Sequence, residues 1–181
     1  MDSGDHTFLF GFEESYGFLS STFVRDKDGV NASLLVSEVA CACMAEGITF
    51  YDRMQQIFSE YGYYIENVVS TTLPGKDGLT RMKEIMSGLR AEPPKEIAGL
   101  KVTAVRDYLS GVRTEKGKAE PTGLPKSDVL YFELEGGCWV CVRPSGTEPK
   151  IKLYVNSNAP GREEAEKLNA ALCEASKAMM A

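Results

Sequence analysis

The residues best suited to chemistry form one run, Arg143-Pro144-Ser145-Gly146-Thr147-Glu148-Pro149-Lys150, set between two apolar stretches. Arg143 offers a planar fork of donors and Ser145 and Thr147 offer hydroxyls. Gly146 lets the backbone turn tightly with its N–H exposed, so the segment reads as a small anion cradle whose obvious guest is phosphate. The same residues also suit a Pro/Gly hairpin connection whose polar groups face water, and residue chemistry alone leaves both readings open. Other chemistries are disfavoured. Cys138-Trp-Val-Cys141 has C-x-x-C spacing, but it lies on an alternating strand pattern and no second Cys/His pair accompanies it. His6 is the only histidine, which excludes a His-based metal cluster or a Ser/His/Asp triad within this chain.

The elements that must hold the cradle are strands. Lys101 to Asp107, Val129 to Leu134, Cys138 to Arg143 and Ile151 to Asn156 all alternate, and Glu135-Gly136-Gly137 between two of them is a hairpin signal. Ile65 to Leu73 reads as a further strand, and Lys76 to Leu89 as a helix with Leu79, Met82, Ile85, Met86 and Leu89 on one side, stopped by Pro93-Pro94. Arg113 to Ser127, rich in Gly, Lys and Pro, reads as a solvated loop, and Gly161 to Met180 as a last helix with Glu163 and Glu164 in its first turn. The order β-α-β-β-β-β-α implies an α+β domain with an antiparallel sheet covered on one face by helices. Before it, Thr7 to Phe10 reads as a short strand. Val30 to Glu46 reads as a largely buried helix ending at Gly47. A second helix starts at a Thr49/Asp52 capping box, has Met54, Ile57, Phe58 and Tyr61 as its buried stripe, and stops at Gly62. Strand, loop and two helices suit the tail of an α/β domain.

Composition narrows the class. With 181 residues, 43% hydrophobic and 25% charged, one or two compact domains are affordable. The net charge of −6 argues against a general nucleic-acid or anionic-membrane binder, so any phosphate site must be a local basic pocket. No apolar run approaches the ~18 residues of a membrane span, and the N-terminus shows no signal-peptide pattern. Cys41, Cys43, Cys138, Cys141 and Cys173 are odd in number and lie in apolar segments, as buried thiols of a reducing compartment do. A cytoplasmic protein is expected.

Arg143-Pro-Ser-Gly-Thr-Glu-Pro-Lys-Ile-Lys152 resembles the C-terminal phosphate-binding loop of the α-D-phosphohexomutases, the phosphoglucomutase and phosphomannomutase superfamily. Phe10-Gly11-Phe12-Glu13-Glu14-Ser15-Tyr16-Gly17 resembles the sugar-binding loop of that family's third domain, and Arg25-Asp26-Lys27-Asp28-Gly29 follows at the family's usual distance. The resemblance covers essentially the whole chain. It implies α/β plus α+β architecture: the C-terminal part of an α/β/α third domain over residues 1–64, then a small helix-covered antiparallel sheet, TATA-binding-protein-like, over residues 65–181, joined near Glu60 to Asn67. Family members also resemble one another in a phosphorylatable serine within a Thr-Ala-Ser-His-Asn-Pro type loop and a Mg²⁺ site within an Asp-Gly-Asp-Gly-Asp-Arg type loop. Neither run occurs in this sequence. The chain is therefore expected to be a C-terminal portion of a mutase, excised or read from a truncated frame, and inactive alone.

What the resemblance implies about residues follows the same division. Arg143, Ser145, Gly146, Thr147 and Lys152 would grip the phosphate that is not being transferred, with Glu148 orienting Arg143 or Lys150 rather than touching phosphate. Glu13, Glu14 and Ser15 would hold the sugar ring, carboxylates accepting from adjacent hydroxyls on carbons 3 and 4, although acids opening a helical turn also serve as caps. Arg25 and Lys27 match positions near the transferring phosphoryl group, or form a solvated pair flanking Asp26 and Asp28. The reaction implied is interconversion of glucose 1-phosphate and glucose 6-phosphate, with Mg²⁺ and glucose 1,6-bisphosphate as cofactors of the full-length enzyme and none bound by this chain alone. Its partners would be a hexose phosphate and the N-terminal domains of the same enzyme, without nucleic acid or membrane. A phosphomannomutase or phosphopentomutase portion, or a non-catalytic sugar-phosphate-binding module, remains as the alternative.

Overall fold

A computed structural model describes residues 6–13 and 16–180. The chain divides into two compact units, Met1–Ile57 and Phe58–Ala181.

In the first unit the strands β1 (Gly11–Phe12) and β2 (Phe18–Leu19) pair antiparallel, Gly11 opposite Leu19. The expected strand at Thr7 to Phe10 does not form, pairing beginning only at Gly11; Phe10 instead packs its ring near those of Phe12 and Phe18, at centroid separations of 6.1 and 6.3 Å. Helix α1 (Gly29–Ala45) starts where Asp28 accepts the Val30 and Asn31 N–H groups, each at 3.0 Å. It ends in a Schellman motif, with Gly47 N–H to Met44 O at 3.1 Å and Ile48 N–H to Cys43 O at 3.0 Å. Helix α2 (Phe50–Tyr61) begins at the expected capping box: Thr49 N–H donates to Asp52 at 2.8 Å and Asp52 N–H to Thr49 Oγ1 at 3.1 Å.

The burial expected of these helices is corrected. In α1 only Cys43 is buried, while Leu34 is 61% and Met44 77% exposed; in α2 Met54, Ile57 and Tyr61 are all exposed. Periodicity reports which face is apolar, and a second layer must be present to cover it. Cys41 is likewise exposed rather than buried.

The second unit supplies such layers. Strand β3 (Tyr63–Thr72) leads through a turn to α3 (Gly78–Ala91), two residues later than expected. There follow β4 (Glu96–Ile97), β5 (Leu100–Asp107), β6 (Val112–Glu115), β7 (Lys118–Pro121), β8 (Leu130–Leu134), a 3₁₀ turn at Glu135–Gly137, β9 (Trp139–Pro144), β10 (Lys150–Ala159) and α4 (Arg162–Ala178). The sheet runs β3-β10-β9-β8-β5-β6-β7, antiparallel throughout, with β4 added beside β5.

Alternation puts Leu130, Phe132, Leu134, Val140, Val142, Ile151, Leu153 and Val155 on one face, where they join Met82 and Met86 of α3 and Leu172 and Cys173 of α4 in a single core. Polar ties fix α4 against the sheet: Ser157 Oγ donates to Ala165 O at 2.8 Å, and Asn169 Nδ2 to Ile65 O at 2.7 Å. Arg90 in the last turn of α3 bonds Asp107 and Asp128.

The opposite face is partly exposed and carries Arg106, Tyr131, Glu133, Trp139, Cys141, Arg143 and Lys152. Tyr131 stacks on Trp139 at 5.1 Å and lies under Arg106, also at 5.1 Å. Cys138 is buried while Cys141 lies on this half-exposed face, so the C-x-x-C pair does not meet. Burial holds the Cys141 thiol at about 11.

One expected loop is a hairpin. Within Arg113 to Ser127 the chain forms β6 and β7, turning at Lys116 and Gly117, whose φ values of 49° and 77° suit a two-residue primed turn. Charge pairing holds it: Arg113 reaches Glu115 and its cross-strand partner Glu120, each at 2.9 Å, and Glu133 on β8 at 2.8 Å. Glu133 also accepts from Arg106 Nε at 2.6 Å. These hydrogen bonds, Arg113's first, hold the Glu133 carboxyl at about 2 despite partial burial.

Candidate functional site

The Arg143–Lys150 run joins β9 to β10. Arg143 stands directly opposite Lys152 in the ladder, and Pro144 opposite Ile151. Because Ile151 and Leu153 point into the core, Lys150 and Lys152 must share the other face with Arg143. Beyond Pro144 the loop closes on itself: Ser145 N–H donates to Lys150 O at 2.7 Å and Lys150 N–H to Glu148 O at 2.8 Å. The Thr147 and Glu148 N–H groups turn inward onto Ser145 Oγ at 3.4 and 3.3 Å, both long bonds. Leu73 N–H holds Pro149 O at 2.8 Å from the end of β3.

Arg143, Pro144, Ser145, Gly146, Glu148, Lys150 and Lys152 line a cavity of about 200 Å³. Against roughly 30 Å³ for a water molecule in the liquid, that is room for a tetrahedral oxyanion and part of what carries it. Three cations face one carboxylate there. Among the described residues none of Arg143, Lys150 and Lys152 makes an ion pair, Glu148 included, so their mutual repulsion is relieved most directly by an anion.

Of the residues read from the sequence, the structure brings together Arg143, Ser145, Gly146 and Lys152. Thr147 contributes its backbone N–H to Ser145 rather than a side chain to the wall. Glu148 lines the cavity without contacting Arg143 or Lys150 as an ion-pair partner. Lys150 was not among the site residues read from the sequence, although its two-residue spacing from Lys152 on one strand was the available signal.

The second cleft belongs to the first unit. Gly11, Phe12, Glu13, Gly17, Phe18, Leu19, Arg25, Asp26 and Lys27 surround about 230 Å³. Glu13 N–H donates to Gly17 O at 2.8 Å. Glu13 and Lys27, fourteen residues apart, meet at 3.2 Å, with Asp26 3.7 Å from the same ammonium. The hydrogen bond to Glu13 and the attraction behind it raise the Lys27 pKa, keeping it a cation. Both side chains stay about half exposed, so the pair is solvent-screened. Asp28 is committed to capping α1, which separates it from the acids that could meet a ligand. Glu14 and Ser15 lie outside the described residues. Also among the described residues, no three Asp, Glu, His or Cys side chains converge as a metal ion requires, and no single helix is long and apolar enough to cross a membrane.

Comparison with known proteins places both segments in one family. Residues 1–61 match the model of the phosphoglucomutase/phosphomannomutase alpha/beta/alpha domain III, and residues 87–175 that of the phosphoglucomutase/phosphomannomutase C-terminal domain. Phosphoglucomutases of Staphylococcus aureus strains MRSA252 and N315 are 42% and 41% identical over 170 residues, 92% of this chain and 31% of theirs. The chain thus spans about a third of the length of these curated relatives. A crystal structure of the Paramecium exocytosis-sensitive phosphoprotein pp63/parafusin, a phosphoglucomutase in an open form, shares the fold with a TM-score of 0.59 at 19% identity, over 92% of this chain and 28% of that one. With the cradle inside the second match and the Glu13–Lys27 cleft inside the first, the chain belongs to the phosphoglucomutase/phosphomannomutase family, of which it carries domain III and C-terminal domain sequence.

Proposed function

We propose that this chain is the sugar- and phosphate-recognition part of a cytoplasmic phosphoglucomutase, which interconverts glucose 1-phosphate and glucose 6-phosphate through a phosphoserine enzyme and glucose 1,6-bisphosphate. The cavity of Arg143, Lys150 and Lys152 is the observation that carries this reading: three cations with no carboxylate partner among the described residues, in the segment that matches the family's C-terminal domain. The S. aureus relatives, named phosphoglucomutases, favour glucose as the sugar.

In this reading the cradle holds the phosphate that is not being transferred. Arg143 supplies a bidentate grip and the two lysines supply point charges. Glu13 keeps acceptor capacity beyond its contact with Lys27, since a carboxylate offers about four lone-pair sites, and accepts from ring hydroxyls. Lys27, held charged, and Arg25 stabilise charge on the oxygens of the transferring phosphoryl group. The acceptor serine and Mg²⁺ would belong to other domains of the enzyme. Among the described residues the acids do not converge as a metal site requires.

Two measurements test the proposal. The chain alone, assayed with glucose 1-phosphate and catalytic glucose 1,6-bisphosphate, should show no turnover, because positioning groups cannot replace the covalent acceptor. Turnover by pure protein would overturn the division of labour. Inorganic phosphate and glucose 6-phosphate should each shift the amide resonances of Ser145, Gly146 and Thr147. Shifts confined to other regions would remove the cradle.

A further inference from the structure

Helix α3 begins against the cradle loop, and the contact has no room for a side chain. A Cβ placed on Gly78 would lie 2.2 Å from the Leu73 carbonyl oxygen and 2.8 Å from Pro149 Cβ, both below any ordinary contact distance. The Gly78 backbone is not in the left-handed region, so space alone demands glycine here. On one side of that space is the end of β3, where Leu73 is nearly buried and its N–H donates to Pro149 O. On the other is Pro149, which connects the inward-turned Thr147 and Glu148 amides to Lys150, whose carbonyl in turn holds Ser145 N–H.

We infer that Gly78 is a positioning residue for the anion cradle: by lacking a side chain it lets the first turn of α3 brace Pro149 and so fixes the loop that carries Ser145, Thr147, Glu148 and Lys150. The inference rests on the reading of this loop as a phosphate site. It also explains where strain would go. Helix α3 is anchored by Met82 and Met86 in the core, 7% and 1% exposed, whereas Gly146, Thr147 and Glu148 are exposed and free to yield. An added methyl must therefore push back the Leu73 carbonyl, its closest neighbour, and Pro149; because Leu73 N–H holds Pro149 O, both displacements pass into the loop in preference to the helix. The effect is of geometry, because Gly78 lines no part of the cavity itself.

The test compares ¹⁵N-labelled Gly78→Ala with Gly88→Ala, a control on the same helix where a Cβ meets nothing within 4 Å. Without phosphate, Gly78→Ala should move the amide resonances of residues 145–148 and 150 while those of β8 and α4 stay in place. Its affinity for inorganic phosphate should fall roughly tenfold, less than the ~100-fold that a full ångström of misplacement costs in catalysis. Gly88→Ala should bind as the unsubstituted chain does. If Gly78→Ala does not fold, Pro149→Gly removes the brace from the loop side and should give the same loss of phosphate affinity. Equal affinity in a folded Gly78→Ala protein, or in Pro149→Gly where that stands in, overturns the inference. Failure of the unsubstituted chain to respond to phosphate at residues 145–148 overturns the phosphate reading instead, a distinct result.

Discussion

The two units spend similar apolar sequence to opposite ends. Helix α1 is rich in apolar residues, yet of the buried apolar side chains among the described residues only Cys43 belongs to the first unit; the connected core from Leu73 to Met180 lies entirely in the second. The second unit has a sheet face and two helices to close over it, whereas α1 and α2 present Leu34, Val36, Met44, Met54 and Ile57 outward. Apolar patterning is thus a property of a segment, and burial is a property of a pair of layers. The consequence is that the cradle of Arg143, Lys150 and Lys152, the proposed phosphate site, stands on a completed scaffold, and the Glu13–Lys27 cleft on a hairpin and helix with little core beneath them.

The largest effect should break that comparison if it is wrong. Phe132→Ala, at a fully buried position, should cost about 3–5 kcal/mol in urea unfolding followed by Trp139 fluorescence, while Leu34→Ala should stay within about 0.5 kcal/mol by far-ultraviolet circular dichroism. Equal costs would mean that α1 is packed after all. Next comes the cradle. Arg143→Ala should weaken inorganic phosphate binding by about 1.5–3 kcal/mol, the range for hydrogen bonds to charged groups, and Arg143→Lys by less, since lysine keeps the charge and loses the fork. Titration calorimetry finding no loss in either variant would detach the cradle from Arg143.

The smallest effect sharpens the contrast through pH. Glu133 has its carboxyl pulled from 4.5 down to about 2 by Arg113 and Arg106. A depressed acid contributes stability that is complete above its unfolded value near 4.5 and is lost as pH falls towards about 2. Glu133→Gln should therefore lower the melting temperature of the second unit at neutral pH, and the gap should close below pH 4.5. A gap that persists at pH 2 would assign the loss to packing rather than charge.

What could be read from the sequence follows the same division. The strands from Leu130 to Asn156 were legible because a half-buried sheet writes strict alternation, and the Thr49/Asp52 cap because its partners are three residues apart. The β6–β7 hairpin was not, because Arg113, Glu120 and Glu133 look like solvated charges until strand pairing sets them opposite one another. The Lys116-Gly117 step was the overlooked turn signal. Within the site, Arg143, Ser145, Gly146 and Lys152 stood in one quotable motif. The Glu13–Lys27 contact and the Gly78–Pro149 apposition join residues far apart in the chain, and no local pattern announces them.

The nearly inaccessible Asn169 of α4 has a further consequence. Its amide is engaged at both ends: Nδ2 donates to Ile65 O at 2.7 Å, while Oδ1 accepts from Asn67 Nδ2 at 2.6 Å and from Cys173 Sγ at 3.6 Å. A Leu there would fill the space as well but would tolerate a helix turned or slid along the sheet. The asparagine does not, because any such shift strands an amide in a dry interface. Asn169 thereby acts as a keyed joint that admits α4 in a single rotational setting on β3, the strand that pairs along its length with β10 and so flanks the one carrying Lys150 and Lys152 to the cradle.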